Sequence, residues 1–325
     1  VKVLVTGGAG YIGSHAVREL QEAGHEPVVL DDLSHGHRGA LGEGVRFVQA
    51  DLADEAAVRP ALKGVECVLH FAGLLSVAES VRDPLAYHGT NVAKGLAFLG
   101  SAIRSGVRRL IFSSTCAVYG APEAIPISET QALDPINPYG ASKRSFERAL
   151  QDCAEAGALE AVSLRYFNAA GCHPDGTLGE DHRPEEHLIP LAIDAALGRR
   201  AALTLHGDNY PTPDGTCIRD YIHVQDLARA HVLALTADLG RFRVFNLGTE
   251  TGHSVREVVD AVSRVGGKRV PVVVGPRRRG DPVRLVASGA RASEDLGFRP
   301  RWTGIEPIVE SAWRWRLNNP KGYRT

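Results

Sequence analysis

The tightest constraint on this chain sits at its start, where an apolar run (Val3, Leu4, Val5) meets the turn Thr6-Gly7-Gly8-Ala9-Gly10-Tyr11-Ile12-Gly13. Glycines 7, 10 and 13 are spaced GxxGxxG. One glycine permits a tight turn, one lets a pyrophosphate approach the backbone, and one lets helix and strand pack closely. A helix-like stripe follows, with Ile12, Ala16, Leu20 and Ala23 ahead of Gly24. Its N-terminus offers free amides to an anion. The next apolar run, Val28 to Leu30, ends at Asp31 and Asp32. An acid there accepts hydrogen bonds from an adenosine ribose and repels a 2′-phosphate, so the turn calls for NAD rather than NADP. Asp51 ends the third run, where an adenine would lie.

Further strand-like runs cover 45–48, 67–71, 110–112 and 161–164, and helix-like stretches cover 91–105 and 139–155. Short apolar strands alternating with amphipathic helices predict a parallel sheet covered on both faces. After Asn168 the loops lengthen, although Ser254 and Glu257 still form a capping box before Val255, Val258, Val259 and Val262. The expected fold class is therefore α/β: a Rossmann doubly wound parallel sheet with a smaller, discontinuous α/β substrate domain. The first domain spans 1–168 and the second is mainly 169–325. Segments 221–226 and 245–248, within 217–248, are expected to return to the first. A length of 325 residues suits two domains.

Composition excludes several classes. With 37 basic and 38 acidic side chains the net charge is -1, so a nucleic acid is not the expected partner. No apolar run is long enough for a membrane span, and the opening strand leaves no room for a signal peptide. Five scattered cysteines form no CxxC, which fits a reducing cytoplasm rather than a disulfide framework. No metal site is expected. The group Glu180-Asp181-His182-Arg183 and Glu185-Glu186-His187 has metal-ligand residue types, but loop acids and histidines are more often solvated or substrate-facing. His35 and His37 read as a surface loop. Arg277-Arg278-Arg279 fits a diphosphate clamp, since guanidinium pairs with phosphate bidentately.

Asn137-Pro138-Tyr139-Gly140-Ala141-Ser142-Lys143 opens a helix, placing Tyr139 and Lys143 on one face. A cation beside a phenol favours the phenolate, giving a proton acceptor for a sugar or alcohol hydroxyl. Earlier, Phe112-Ser113-Ser114-Thr115-Cys116-Ala117-Val118-Tyr119-Gly120 leaves a strand and exposes hydroxyls that could bond the same group.

With these motifs the chain resembles the extended short-chain dehydrogenase/reductase family, and within it the UDP-glucose 4-epimerases of galactose metabolism. LVTGGAGYIGSH, HFAG, ESV, FSSTCAVYG, NPYGASK, LRYFNAAG, GED, HLIP, DGTCIRDYIHVQDLA, FNLG and PRRRGD carry the resemblance nearly end to end. It implies Tyr139 as catalytic acid and base, tuned by Lys143, with Thr115 as the hydroxyl partner that is serine in the best-known members. It implies NAD held by Gly7, Gly10, Tyr11, Ile12, Gly13, Asp31, Asp32, Asp51, Leu52, Phe71, Ala72, Gly73, Asn91, Ser113, Tyr139, Lys143 and Tyr166. A UDP-hexose would be held by Thr115, Tyr139, Phe167, Asn168, His187, Leu188, Leu205, His206, Arg219, Arg278 and Asp281. It implies a homodimer whose helices 91–105 and 139–155 pair as a four-helix bundle; sequence alone does not separate that from internal packing.

Four positions depart from the family pattern. Leu75 replaces a lysine near the cofactor, His187 an asparagine beside the diphosphate, and His206 an aromatic near the uracil. Leu285 stands at the sugar pocket where characterised members have tyrosine or a smaller residue, which leaves sugar choice open to UDP-N-acetylglucosamine, UDP-glucuronate or UDP-xylose. A 4,6-dehydratase needs an Asp-Glu pair where this chain has Cys116-Ala117. A non-catalytic NAD-binding scaffold is the reading from another class; retention of Tyr139 and Lys143 weighs against it.

Overall fold

The apolar runs become strands buried on both faces, because helices from two layers cover the sheet they form. The computed structural model describes residues 1–278 and 281–323; Arg279, in the arginine run, lies outside the described residues. The first half contributes strands β1 (Lys2–Thr6), β2 (Glu26–Asp31), β3 (Arg46–Gln49), β4 (Cys67–His70), β5 (Arg109–Thr115) and β6 (Glu160–Tyr166). Between them lie helices α1 (Tyr11–Glu22), α2 (Glu55–Ala61), α3 (Val77–Arg82), α4 (Pro84–Tyr87), α5 (Gly95–Arg104) and α6 (Pro138–Glu155). The expected helix 91–105 begins earlier, as a π-helical stretch His88–Lys94 that runs into α5. The second half adds β7 (Asn168–Ala170), α7 (Leu188–Ala196), β8 (Leu203–His206), β9 (Ile218–His223), α8 (Val224–Thr236) and β10 (Phe242–Leu247). It ends with β11 (Gly252–Ser254), α9 (Val255–Gly266), β12 (Val272–Gly275), β13 (Arg284–Leu285), α10 (Ala290–Asp295) and α11 (Ile305–Asn318).

The main sheet has seven strands in the order β10-β6-β5-β4-β1-β2-β3, all parallel. Strand order reverses between β1 and β4, and a crevice at the carboxyl ends of such strands is where an α/β sheet binds ligands. Alternate residues serve opposite faces, as the two-residue period of a strand requires. Val3, Val5, Leu69 and Ile111 pack with Ala16 and Leu20 of α1 and Leu227 and Ala230 of α8. Leu4, Val68, Leu110 and Phe112 pack with Val58 of α2, Phe98 of α5 and Phe146 of α6.

The smaller unit is built on α7, α9 and α11, whose Ile193, Val258, Val262, Ile308 and Trp315 share one core. A β8–β12 pair flanks it. β10 returns to the large sheet beside β6, and α8 lies against α1. Residues 221–223 depart from expectation: they extend β9, which pairs with β7, β11 and β13 in a separate sheet. Asp220 explains the placement. Its fully buried carboxylate accepts from the amides of Thr249, Glu250 and Ala287, which ties β9 to the two loops around it.

α6 is held to the sheet by a buried charge. Glu147, one turn beyond Lys143, pairs with Arg165 of β6 and accepts hydrogen bonds from Ser114 (2.8 Å) and Ser163 (2.5 Å). Both charged side chains are about 95% buried, at 5% and 4% exposure. Arg165 also donates to Tyr119, which donates in turn to Asn246 of β10. Removing one partner leaves an uncompensated buried charge, which costs about 3–5 kcal/mol. Glu147→Ala should therefore lower unfolding stability by that amount in urea titrations, with a smaller loss for Glu147→Gln, which keeps acceptors for the two serines.

Candidate active site

A cleft of about 1040 Å³ opens at the carboxyl ends of the large sheet and is closed on its far side by the smaller unit. That is at the upper end of the range for a single small-molecule site, and leaves room for two ligands meeting end to end. The glycine turn forms one end. Gly7 has a left-handed φ of +68°, and a Cβ there would meet the Ala72 backbone nitrogen at 2.5 Å. A Cβ on Gly13 would lie 2.2 Å from the Gly7 carbonyl oxygen, so only glycine lets α1 start this close to β1. No side chain caps α1, so its first-turn amides remain for an anion. Asp31 is buried beside them. Burial raises its pKa, and amides of Leu33 (2.8 Å) and Ala9 (3.0 Å) counter that by donating to its carboxylate. Asp51 pairs with Lys94; burial opposes ionisation, but that ammonium holds the carboxyl below its ordinary value. The cradle therefore suits the pyrophosphate and ribose of a dinucleotide.

In the middle lie Tyr139, Lys143 and Thr115, all lining the cleft. Asn137 caps α6 by accepting from the Gly140 amide at 2.8 Å, with Pro138 in its first turn, which fixes where Tyr139 emerges. Burial pushes the Tyr139 phenol up to about 12, and the nearby Thr115 hydroxyl pulls the other way. Lys143 makes no hydrogen bond to the phenol among the described residues. Its Nζ donates to the Ser113 carbonyl at 3.0 Å and sits 5.0 Å from the Phe112 ring centroid, and burial brings it down to about 8. The four-residue spacing puts both groups on one face of α6, but β5 supplies the lysine's nearest acceptor. Ser113 also bonds the Tyr166 hydroxyl, whose pKa burial raises.

At the other end stand Phe167, Asn168, His187, Leu188, His206, Arg219, Arg278 and Asp281. Arg219 faces Asp281 at 3.8 Å. His206 is lowered by burial and by the Arg278 charge. Leu75 and Leu285 line the cleft as well. Arg277 turns away, stacking on Tyr210 at 4.2 Å and bonding Asn209.

Most of the expected contacts converge here, with two corrections. Asn91 does not line the cleft; its amide accepts from the Leu74 amide and donates to the Leu74 carbonyl and Ser142, so it braces the loop after β4. Leu205 packs into the core of the smaller unit and does not line the cleft, whereas Leu203, Thr204 and His206 of β8 do. His37 is not a free surface group: it bonds the Asp181 carbonyl at 2.8 Å and stacks on Tyr323. Glu180, His182, Glu185 and His187 are not solvated loop residues. They gather at the cleft wall, the substrate-facing alternative, with Glu180, His182 and Glu185 largely buried and His187 39% exposed. Sequence reasoning missed Lys94, the partner of Asp51, and Glu147; a lysine on the 91–105 stretch and an acid four residues after Lys143 were the available signals.

A model of the NAD dependent epimerase/dehydratase family matches residues 3–248. The chain belongs to that family. It is 46% identical to the UDP-glucose 4-epimerase of Halalkalibacterium halodurans, across 99% of this chain and 98% of the relative. It is similar to the UDP-glucose 4-epimerase of Brucella ovis solved with NAD, at 47% identity and TM-score 0.92, covering 96% of this chain and 97% of that one. The enzyme of Bifidobacterium longum solved with NAD+ and UDP matches at 37% identity and TM-score 0.95, covering 99% and 100%. Among the described residues, no helix is long and apolar enough to cross a membrane.

For a member of this family, Lys143 has a measurable thermodynamic signature. Burial brings its folded pKa down to about 8 from the ordinary lysine value of 10.5, so near neutral pH the fold carries a buried charge that opposes stability. From about pH 8 to 10.5 the unfolded chain binds the extra proton, and stability rises with pH. Lys143→Met should therefore be more stable than wild type at pH 7, and the gap should shrink as pH climbs through 8 to 9.5. Thermal unfolding scans across that range check the sign.

Proposed function

We infer that this chain interconverts UDP-glucose and UDP-galactose by NAD-dependent epimerisation at sugar C4, an isomerase of galactose metabolism. The observation that carries the reading is the position of Tyr139 and Thr115 between a dinucleotide cradle and a cluster of cations, Arg219 and Arg278, suited to a diphosphate. Bound NAD supplies a hydride acceptor that returns what it takes, so the sugar passes through a 4-keto form with no net oxidation. Gly7, Gly10, Gly13 and Asp31 hold it, with Lys143 at its nicotinamide ribose.

Tyr139 would act as the phenolate, a form that the positive nicotinamide of bound NAD and the Lys143 ammonium would favour over the neutral phenol; it takes the proton from the sugar 4-hydroxyl and later gives it back. Thr115 bonds the same hydroxyl and holds the sugar in reach. Arg219, Arg278 and His187 anchor the diphosphate, and Phe167, Asn168 and Leu188 seat the rest of the nucleotide. Anchoring the remote nucleotide firmly and the sugar loosely lets the keto sugar present either face to one fixed acid–base pair. Leu285 beside the sugar keeps N-acetylated UDP-hexoses open as further substrates, and a panel of UDP-sugars separates them. A chain that releases no NAD on denaturation and turns over no UDP-hexose would return the scaffold reading.

Tyr139→Phe should abolish interconversion, by at least about a hundredfold as expected for loss of a general acid–base. UDP-glucose binding by calorimetry should stay nearly intact; wild-type turnover in this variant would overturn the assignment.

We also propose a homodimer through α5, the π-helical stretch before it and α6. Leu96 and Ala97 of α5 are exposed on one side of the helix while Phe98 and Leu99 are buried on the other, and Leu85 nearby is 81% exposed. An apolar patch of this kind on a helix pair fits burial against a second copy. Leu96→Arg should convert a dimer into monomer in sedimentation experiments; an unchanged sedimentation coefficient would place the interface elsewhere.

A further inference from the structure

We propose that Glu180, His182, Glu185 and His187 form a binding site for one divalent transition-metal cation of the zinc class, set in the wall of the cleft. The four ligand atoms all lie within 4.8 Å of one another. His187 Nδ1 is 2.8 Å from Glu180 Oε1 and 3.1 Å from Glu185 Oε1. His182 Nδ1 is 3.2 Å from Glu180 Oε1 and 3.9 Å from Glu185 Oε1. Ligands about 2.0–2.2 Å from a tetrahedral ion stand about 3.3–3.6 Å from each other; the two Glu180–histidine separations lie just inside that spacing, and Glu185, whose Oε1 is already held, would bind through Oε2. Two imidazoles with two carboxylates also match the ligand chemistry of zinc.

A second observation points the same way. Glu180 Oε1, His182 Nδ1 and Glu185 Oε2 are buried and have no hydrogen-bond partner among the described residues. The Glu180 side chain is 6% exposed. Its Oε1 approaches both imidazole nitrogens closely, yet neither approach has hydrogen-bond direction. His187 Nδ1 does share a hydrogen bond with Glu185 Oε1, but the other three atoms are left with lone pairs or a proton unanswered, which a cation would satisfy. Buried polar atoms without partners are rare, and several at one spot call for an occupant. The surroundings also orient the ligands. The amides of Glu186 and His187, both at 2.9 Å, donate to Glu185 Oε1, which fixes that carboxylate and leaves Oε2 free. Partners of this sort, holding the ligand's other atom, are typical around bound metals.

The ion would tie the 180–187 loop to the first turn of α7. It would also take His187 at Nδ1 and keep Nε2 as the N–H of a residue that lines the cleft. That last consequence rests on the UDP-hexose reading; the metal site itself does not.

The test uses the full chain without an affinity tag, treated with chelator and then titrated with Zn²⁺ by calorimetry and with Co²⁺ by visible absorption. We expect one ion per chain and the intense visible bands of tetrahedral Co²⁺. Glu180→Gln and His182→Asn should each weaken Zn²⁺ binding at least about tenfold, the lower end for altered metal surroundings. Far-UV circular dichroism and NAD content report whether each variant is folded. Wild-type protein that binds neither ion would overturn the proposal and leave the cluster as histidine–carboxylate ion pairs. Binding undiminished in both folded variants would overturn it too. Loss of epimerase activity alone bears on the function, because calorimetry and the Co²⁺ spectrum are read without substrate.

Discussion

The pairing of Glu147 with Arg165 is the contact on which the site depends. α6 carries Tyr139 and Lys143, while β5 carries Ser113 and Thr115, and the two elements must meet in one register. Apolar packing through Phe146 and Leu150 presses α6 onto the sheet, but such packing has no direction. Glu147 adds direction. It reaches Ser114 on β5 and Ser163 and Arg165 on β6, so a single carboxylate fixes the helix against two strands. Arg165 extends the lock through Tyr119 to Asn246 on β10. A buried ion pair of this kind adds little net stability over a well-packed apolar replacement. Its value here lies in position, because a slip of α6 along β5 would part Tyr139 from Thr115.

The charges of the site follow from the same geometry. Lys143 is buried without a carboxylate partner, facing the Ser113 carbonyl and the Phe112 ring. Tyr139 is buried with Thr115 as its polar neighbour and is pushed up to about 12. Neither group is at rest energetically. Such groups persist where the surrounding fold over-determines them. The chain's overall charge of -1 hides these local imbalances. Arg219 and Arg278 stand at one end of the cleft and Asp31 at the other, so opposite charges separated along one groove sum to little.

Much of this was legible in the sequence because it was written locally. The glycine turn fixes β1 and α1, and its spacing is explained by two backbone approaches below 3 Å at Gly7 and Gly13. The capping box at Ser254 and Glu257 appears as read. What failed was contact between distant segments. Nothing in the sequence near Lys143 says that its acceptor is a carbonyl of β5. The expected return of 221–223 to the large sheet failed because β9 pairs with β7 instead, a choice set by Asp220 and the loops it anchors. Leu205 reads as a substrate contact in sequence, but the fold packs it into the core of the smaller unit. The acids and histidines of 180–187 look like a polar loop in one dimension, and only the fold brings Glu180, His182, Glu185 and His187 together at the cleft wall.

The cleft divides by chemistry along its length, and that division bears on how one acid–base pair could serve both faces of a sugar. Its ends are rich in direction: backbone amides and Asp31 at one, guanidinium and imidazole groups at the other. Its middle wall is poorer in fixed polar contacts, with Cys116 and Leu285 sharing one apolar cluster and lining the cleft. Polar groups fix orientation, whereas apolar surface attracts without direction. A ligand gripped at the ends and merely enclosed in the middle can rotate its central portion at little cost. In the proposed reaction that portion is the hexose. Tyr139 and Thr115 need not move, because the apolar wall around them sets no preference between the two faces that the sugar presents.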